Sequence, residues 1–445
     1  MKKIVYGFGG LSYSVISQTI SSFYMFFATS VLGVSGTLMG IAIAISTIWD
    51  GISDTFVGFF SDNYPLGRLG KRNGYMLIAS MGMSIFNICL WCVPNTLSPG
   101  LKFLWIIVSL IILETFNTLF ATPYSALGNE LATSYHDRTK INASSTVFFL
   151  LGIIIPSILI SIFLPSTDEF PIGQLNPRGY IKIAIVTSII SLVFGALCSI
   201  FTIPNIKENS NEHKKLKFSI KNLCKNFAKS FGNKKLNKII FGYMFTSIAT
   251  VFLCSVGLHF FTYSMFYSSN QITVLMLTLL GGTILSQPLW IYISKLKQKK
   301  PALILGIILT ILGVFGIILV YIFRIEFYKF SYLFMLLLIF VCGIGSGALY
   351  TLPLSIYGDA ISKINKSGSG LATYGSTLTL AGNIGNSIAQ LIVGVLLDAI
   401  HFDSSLEIQS LGVQTGLALI VFVGVQASLI IGCTIFVGFK ESNKV

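Results

Sequence analysis

Along this 445-residue chain, long apolar runs alternate with short polar breaks. The runs fall near 5–31, 36–60, 74–93, 102–126, 142–164 and 180–203, then near 239–265, 272–294, 301–323, 331–357, 372–398 and 412–438. Each has about the 20 residues that a helix needs to cross a bilayer. The pattern predicts an all-α membrane protein of twelve transmembrane helices. Turn signals mark the breaks, as at Val93-Pro94-Asn95, from Pro165 to Gly179 and from His401 to Gln414. One long polar segment, Pro204 to Lys238, separates two six-helix halves, 1–203 and 239–445. Within the 204–238 linker, Ile220, Leu223, Phe227 and Phe231 recur at helical spacing among lysines, the pattern of an amphipathic helix on the inner leaflet. The alternative is a loosely ordered linker.

Composition supports the same picture. Only 10% of residues are charged, against about 25% in soluble proteins. The net charge of +14 suggests a polyanionic partner until the charges are located. Twenty-five of the 30 lysines and arginines fall at the termini, in the linker and in alternate loops, leaving only Lys102, Arg178, Lys182, Arg324 and Lys329 for the other side. That asymmetry is the positive-inside rule. It predicts a multi-pass cell-membrane protein with both termini cytoplasmic, contacts with membrane lipids and no nucleic-acid partner. Met1-Lys2-Lys3 mimics a signal peptide, but the apolar run from Val5 to Leu32 is too long for one and reads as an uncleaved first span. Cys89 and Cys92 form a lone CxxC that reads as packing.

The halves share a weak repeat. Pro123-Tyr124-Ser125-Ala126-Leu127-Gly128-Asn129 follows the fourth span, and Pro353-Leu354-Ser355-Ile356-Tyr357-Gly358-Asp359 follows the tenth. Both are expected in loops. Arg68 to Arg72 after the second span has its counterpart in Lys295 to Lys300 after the eighth. Parallel six-helix repeats are the architecture of the major facilitator transporters, with substrate held between the halves.

Candidate chemistry concentrates in the second span. Asp50 and Asp54 are four residues apart, so they share one helix face. A carboxylate in a bilayer core costs at least ~2.5 kcal/mol, so a proton, a metal cation or a basic side chain must neutralise the pair. Two carboxylates with hydroxyl oxygens suit a small hard cation. Glu114, in the fourth span, is a candidate third acid or proton relay. His259 is a candidate proton-linked group or a packing residue, and Asp398 an interfacial charge. No phosphate-binding Gly-x-x-x-x-Gly-Lys-Ser/Thr loop, HExxH or Gly-x-Ser-x-Gly motif is present, so an enzyme is not expected.

These residues carry a family resemblance. Trp49-Asp50-Gly51-Ile52-Ser53-Asp54, Gly58 and Arg68-Leu69-Gly70-Lys71-Arg72 resemble the helix 2 signature of the glycoside–pentoside–hexuronide cation symporters, the melibiose-permease-like branch of the major facilitator superfamily. Tyr6-Gly7-Phe8-Gly9, the Pro123–Leu127 stretch with Glu130-Leu131 and Arg138, and Asp359 with Gly368 and Gly370 agree with it. The resemblance implies a cation site (Na+, Li+ or H+) on Asp50, Ser53, Asp54 and Thr118, with Asp50 and Asp54 as the metal ligands. It also implies a gating cluster of Asp62, Arg68, Lys71 and Arg72, with Asp359 in the second half. The coupling cation is expected to be Na+ or H+, with no other cofactor, and the functional unit a monomer.

The chain departs from the sugar-handling members at four charged positions, which hold Ser14, Ala121, Thr146 and Ala381 here. Uncharged polarity remains in Ser14, Ser17, Gln18, Asn117, Asn383, Asn386 and Gln390. The expected activity is symport of a small neutral, glycoside-like solute by alternating access. The alternative is a carrier or exporter of a lipid or other amphiphile, and a non-transporting sensor is a third reading that the retained acids argue against.

Overall fold

The computed structural model describes residues 2–64, 66, 70–94, 96–131, 135–203, 232–326, 329–364 and 371–439. Among these residues there are helices and connecting turns and no strand. In a solvent without hydrogen-bonding groups, a helix satisfies its own backbone, which is why continuous apolar runs fold this way. The chain divides into two compact units, Met1–Phe218 and Ser219–Val445.

The first unit contains α1 (Lys2–Phe26), α2 (Gly36–Asn63), α3 (Gly70–Trp91), α4 (Pro99–Leu131), α5 (Tyr135–Phe163) and α6 (Pro177–Phe201). Helix α1 packs on α5 and α6, and α4 on α2 and α3. The second unit contains α7 (Lys234–His259), α8 (Ser269–Leu285), α9 (Gln287–Lys297), α10 (Lys299–Ile322), α11 (Ser331–Ile364), α12 (Leu371–Ala399) and α13 (Leu411–Val437). Its pairings repeat those of the first: α7 on α12 and α13, α11 on α8 and α10. Eleven helices, with Ser269–Lys297 taken as one, are long and apolar enough to cross a membrane among the described residues. Helix α1 spans 25 residues but carries Ser12, Ser14, Ser17, Gln18 and Thr19.

Both units open with the same irregularity. Helix α1 ends in a π turn, Phe27–Val31, and α7 in another, Phe260–Ser264. Leu32 N donates to Phe27 O (3.0 Å) and Val34 N to Ala28 O (2.9 Å). Met265 N likewise donates to Phe260 O (3.1 Å) and Tyr267 N to Phe261 O (2.9 Å). An aromatic group of Tyr24, Phe27, Trp91 and Tyr180 secures the first π turn, with Trp91 and Tyr180 stacked at 5.6 Å.

Three expectations change. The proline motifs do not follow their spans as loops. Pro123 lies inside α4 and Pro353 inside α11, because neighbouring polar groups in a bundle tolerate the lost backbone bond. The eighth span is one membrane-length stretch, Ser269–Lys297, but its helix is interrupted by a turn at Ser286, with Pro288 in the first turn of α9. The basic stretch after it is not a loop but the end of α9 and the start of α10, joined through Gln298 at φ 73°. Residues 204–231, which include the four apolar positions of the expected amphipathic helix, lie outside the described residues.

Candidate functional site

The α2–α4 contact of the first unit gathers the acids. Thr118 Oγ1 donates to Asp50 Oδ1 at 2.8 Å, and Thr122 Oγ1 donates to Asp54 Oδ1 at 2.8 Å. Two carboxylates four apart on α2 therefore meet two threonines four apart on α4, one helical turn apiece. Ser53 Oγ lies 3.0 Å from Thr118 Oγ1 and 3.0 Å from the Asp50 carbonyl oxygen. Ser53 and Thr118 are buried, at 4% and 1% exposure. One turn earlier in α4, Trp49 Nε1 donates to Thr115 Oγ1 at 2.8 Å. Glu114 Oε2 accepts from Asn117 Nδ2 at 3.1 Å, and that amide also reaches Ser17 Oγ of α1 at 3.3 Å.

Chemically, the four predicted cation-site residues come together, and Thr122 joins them. Each threonine spends its proton on a carboxylate and keeps lone pairs for a cation. Among the described residues no group of three His, Cys, Asp or Glu gathers as a metal site, so the oxygen donors here are two carboxylates and hydroxyls. Thr122 was not foreseen, although its spacing from Thr118 matches that of Asp54 from Asp50.

The substrate candidates separate. Ser14 is buried and its Oγ donates to Phe149 O of α5 at 3.1 Å, so its hydroxyl serves helix packing. Gln18 Nε2 donates to Ser22 Oγ on its own helix. Thr146 is exposed and bonds back to Asn142 O at 2.9 Å. Ala121 lines a cavity of about 260 Å³ with Tyr6, Tyr13, Tyr124, Asn142 and Ser145, and none of its lining residues carries a formal charge. The Tyr6 and Tyr124 rings stack at 4.3 Å, Tyr6 Oη donates to Tyr124 O at 3.0 Å, and Tyr124 Oη lies 2.7 Å from Ser145 Oγ. The sequence reading missed these tyrosines as site residues. In the second unit, α12 holds Ala381 buried and Asn383 and Asn386 half-buried. Gln390 Oε1 accepts from Ser255 Oγ of α7 at 3.1 Å. His259 is buried, edge-on to Phe402 at 5.5 Å.

Of the gating candidates, Arg72 pairs with Glu130 at 2.7 Å and Asp359 with Lys299 at 2.5 Å. Each pair joins the start of one helix to the end of the next within its own unit. Arg68 and the side chains of Asp62 and Lys71 lie outside the described residues.

Residues 5–441 match the family model for MFS/sugar transport proteins. The chain belongs to that family. Among curated proteins, this family member is 29% identical over 200 residues to an uncharacterized symporter of Synechocystis sp., covering 44% of this chain and 36% of that relative's length. It is 21% identical to the sodium-dependent lysophosphatidylcholine symporter 1-B of Danio rerio, over 81% of this chain and 70% of the relative. It is 22% identical to the isoprimeverose transporter of Lactiplantibacillus pentosus, over 70% of this chain and 63% of the relative. The fold of this MFS protein is similar to the crystal structure of the nucleoside transporter NupG, with a TM-score of 0.66 at 13% identity, covering 99% and 100% of the two chains.

Proposed function

We propose that this MFS protein is a cation-coupled symporter of the melibiose-permease-like branch, set in the cell membrane with both termini cytoplasmic. Asp50, Ser53, Asp54 and Thr118 hold the coupling cation, Na+ or H+, and Glu114 assists. The observation that carries the reading is the ladder of two carboxylates on α2 held by two threonines on α4. Such a pair is costly in a membrane unless a positive charge visits it. A conformation in which the cation is bound is favoured in proportion to its differential affinity, which couples cation to transport. The two intra-unit ion pairs at helix ends are proposed gates that alternate access by breaking and reforming.

The substrate is proposed to be a small neutral solute. An uncharged cavity lined by tyrosines, serine and asparagine supports that reading, as does the named substrate of the Lactiplantibacillus relative. A second reading, an amphiphile carrier, draws on the Danio relative and on the neutral residues at Ser14, Ala121, Thr146 and Ala381. Counterflow in proteoliposomes tests transport itself. Under a Na+ or a proton gradient, wild-type protein accumulates its solute and Asp54→Asn does not. An Asp54→Asn protein that keeps full cation-driven accumulation refutes the site.

A further inference from the structure

The second unit contains a cavity of its own. It measures about 160 Å³ and lies among α7, α8 and α11, where Leu253, Leu279, Leu280, Leu349 and Leu354 alternate with hydroxyl-bearing residues and most of the exposed lining is carbon. Tyr243, Ser247, Ser346 and Tyr350 add hydroxyls to the lining, whereas the three threonines give their protons to backbone carbonyls. Thr246 Oγ1 donates to Tyr243 O at 2.8 Å and Thr250 Oγ1 to Thr246 O at 3.3 Å. Thr283 Oγ1 donates to Leu279 O at 2.9 Å and Gly343 O at 3.1 Å. With their protons spent on backbone carbonyls, these threonines have only oxygen lone pairs left for a ligand. Glycines bring α8 and α11 into backbone contact beside it: a Cβ on Gly282 would lie 2.7 Å from Phe340 O. The wall is therefore backed by closely packed helices rather than by loops.

We infer that this cavity is a subsite for the hydrocarbon portion of the transported substrate, a segment of about six carbons. The size follows from comparison, since an apolar cavity of about 150 Å³ accommodates one benzene molecule. An apolar arm suits it better than a sugar ring, because the exposed lining is mostly carbon and only Tyr243, Ser247, Ser346 and Tyr350 offer hydroxyls to pair with those of a ring. The tyrosine-lined cavity of the first unit, by contrast, exposes mostly polar atoms and adds the amide of Asn142. The inference rests on the transport reading and narrows it to a substrate with an apolar arm, either an alkyl or aryl glycoside or a lysolipid.

The test is binding of two homologous ligand series to the full chain in lipid nanodiscs, read as thermal stabilisation in NaCl and in choline chloride. One series is β-glucosides with chains from methyl to decyl, and the other is phosphocholines with the same chains. Affinity should rise about fourfold per methylene up to about six carbons and then level off. In Ser346→Leu and in Thr250→Leu, which narrow the cavity from α11 and α7, the levelling should come two or more carbons earlier. Success with glucosides alone identifies a glycoside arm, and success with phosphocholines alone a lysolipid chain. Affinity that climbs without a break, identically in wild type and both variants, would be membrane partitioning and would overturn the subsite. Indifference to chain length in both series overturns it too. Loss of Na+ dependence with the chain-length break intact would instead count against the cation reading alone.

Discussion

The second helix of one unit and its counterpart in the other start alike and finish differently. Helices α2 and α8 each begin five residues after the end of a π turn, at Gly36 and Ser269. In that common register Asp50 corresponds to Thr283, Ser53 to Ser286 and Asp54 to Gln287. In α2, two carboxylates meet threonine hydroxyls of α4. In α8 and just past it, Thr283 and Gln287 give their protons to the carbonyls of Gly343 and Gly347 on α11 (3.1 and 3.2 Å). Neutral side chains close their bonds against a neighbouring backbone and are finished. Carboxylates in the same place can bind a proton or a metal cation, which an amide or a threonine hydroxyl cannot do in the same way. On the proposed reading, one scaffold position makes a structural joint in one unit and part of the cation site in the other.

The widest separation is expected from matched substitutions at Asp50 and Thr283. Asp50→Asn should lower apparent cation affinity at least about thirtyfold, since removing one charged partner of a half-buried cation site costs about 2 kcal/mol or more. Thr283→Val should leave cation affinity unchanged and lower stability by about 1 kcal/mol. Na+ titrations of uptake and thermal unfolding measure the two, and equal losses of cation affinity would erase the contrast. A smaller effect is expected at Thr118→Val, about tenfold to hundredfold in cation affinity with uptake retained at saturating cation. The smallest concerns what the units share. Neutralising Arg72 or Lys299 to Gln should each cost about 0.2–1 kcal/mol in melting experiments, and the difference should shrink at high salt. A large loss from only one of them would show that the two ion pairs do not play equivalent roles.

The legible parts of the molecule were those that a bilayer makes expensive. Asp50 and Asp54 stand out in an apolar run, and their spacing alone put them on one face. Thr118 entered through the family resemblance. Thr122 did not, because a threonine in a membrane helix is unremarked until its partner is known. Helix-breaking residues misled: Pro123 and Gly128 read as a turn in water yet sit inside α4. Hydropathy also passed over the break at Ser286, where Pro288 was the available signal. Arg72 was grouped with its sequence neighbour Asp62, but the ion pair seen is with Glu130, 58 residues away, a separation that no local pattern reports. The tyrosine cavity escaped for a related reason, since Tyr6, Tyr13 and Tyr124 converge from two helices.

The paired π turns have a historical consequence. Each is the mark of one extra residue in a helix, and the two copies stand at the same place, 233 residues apart. A single ancestral six-helix gene that already carried the insertion, then doubled, accounts for both. On that account the acids of α2 and the neutral residues at the matching register positions descend from the same codons, and the division of labour between the halves arose after the doubling.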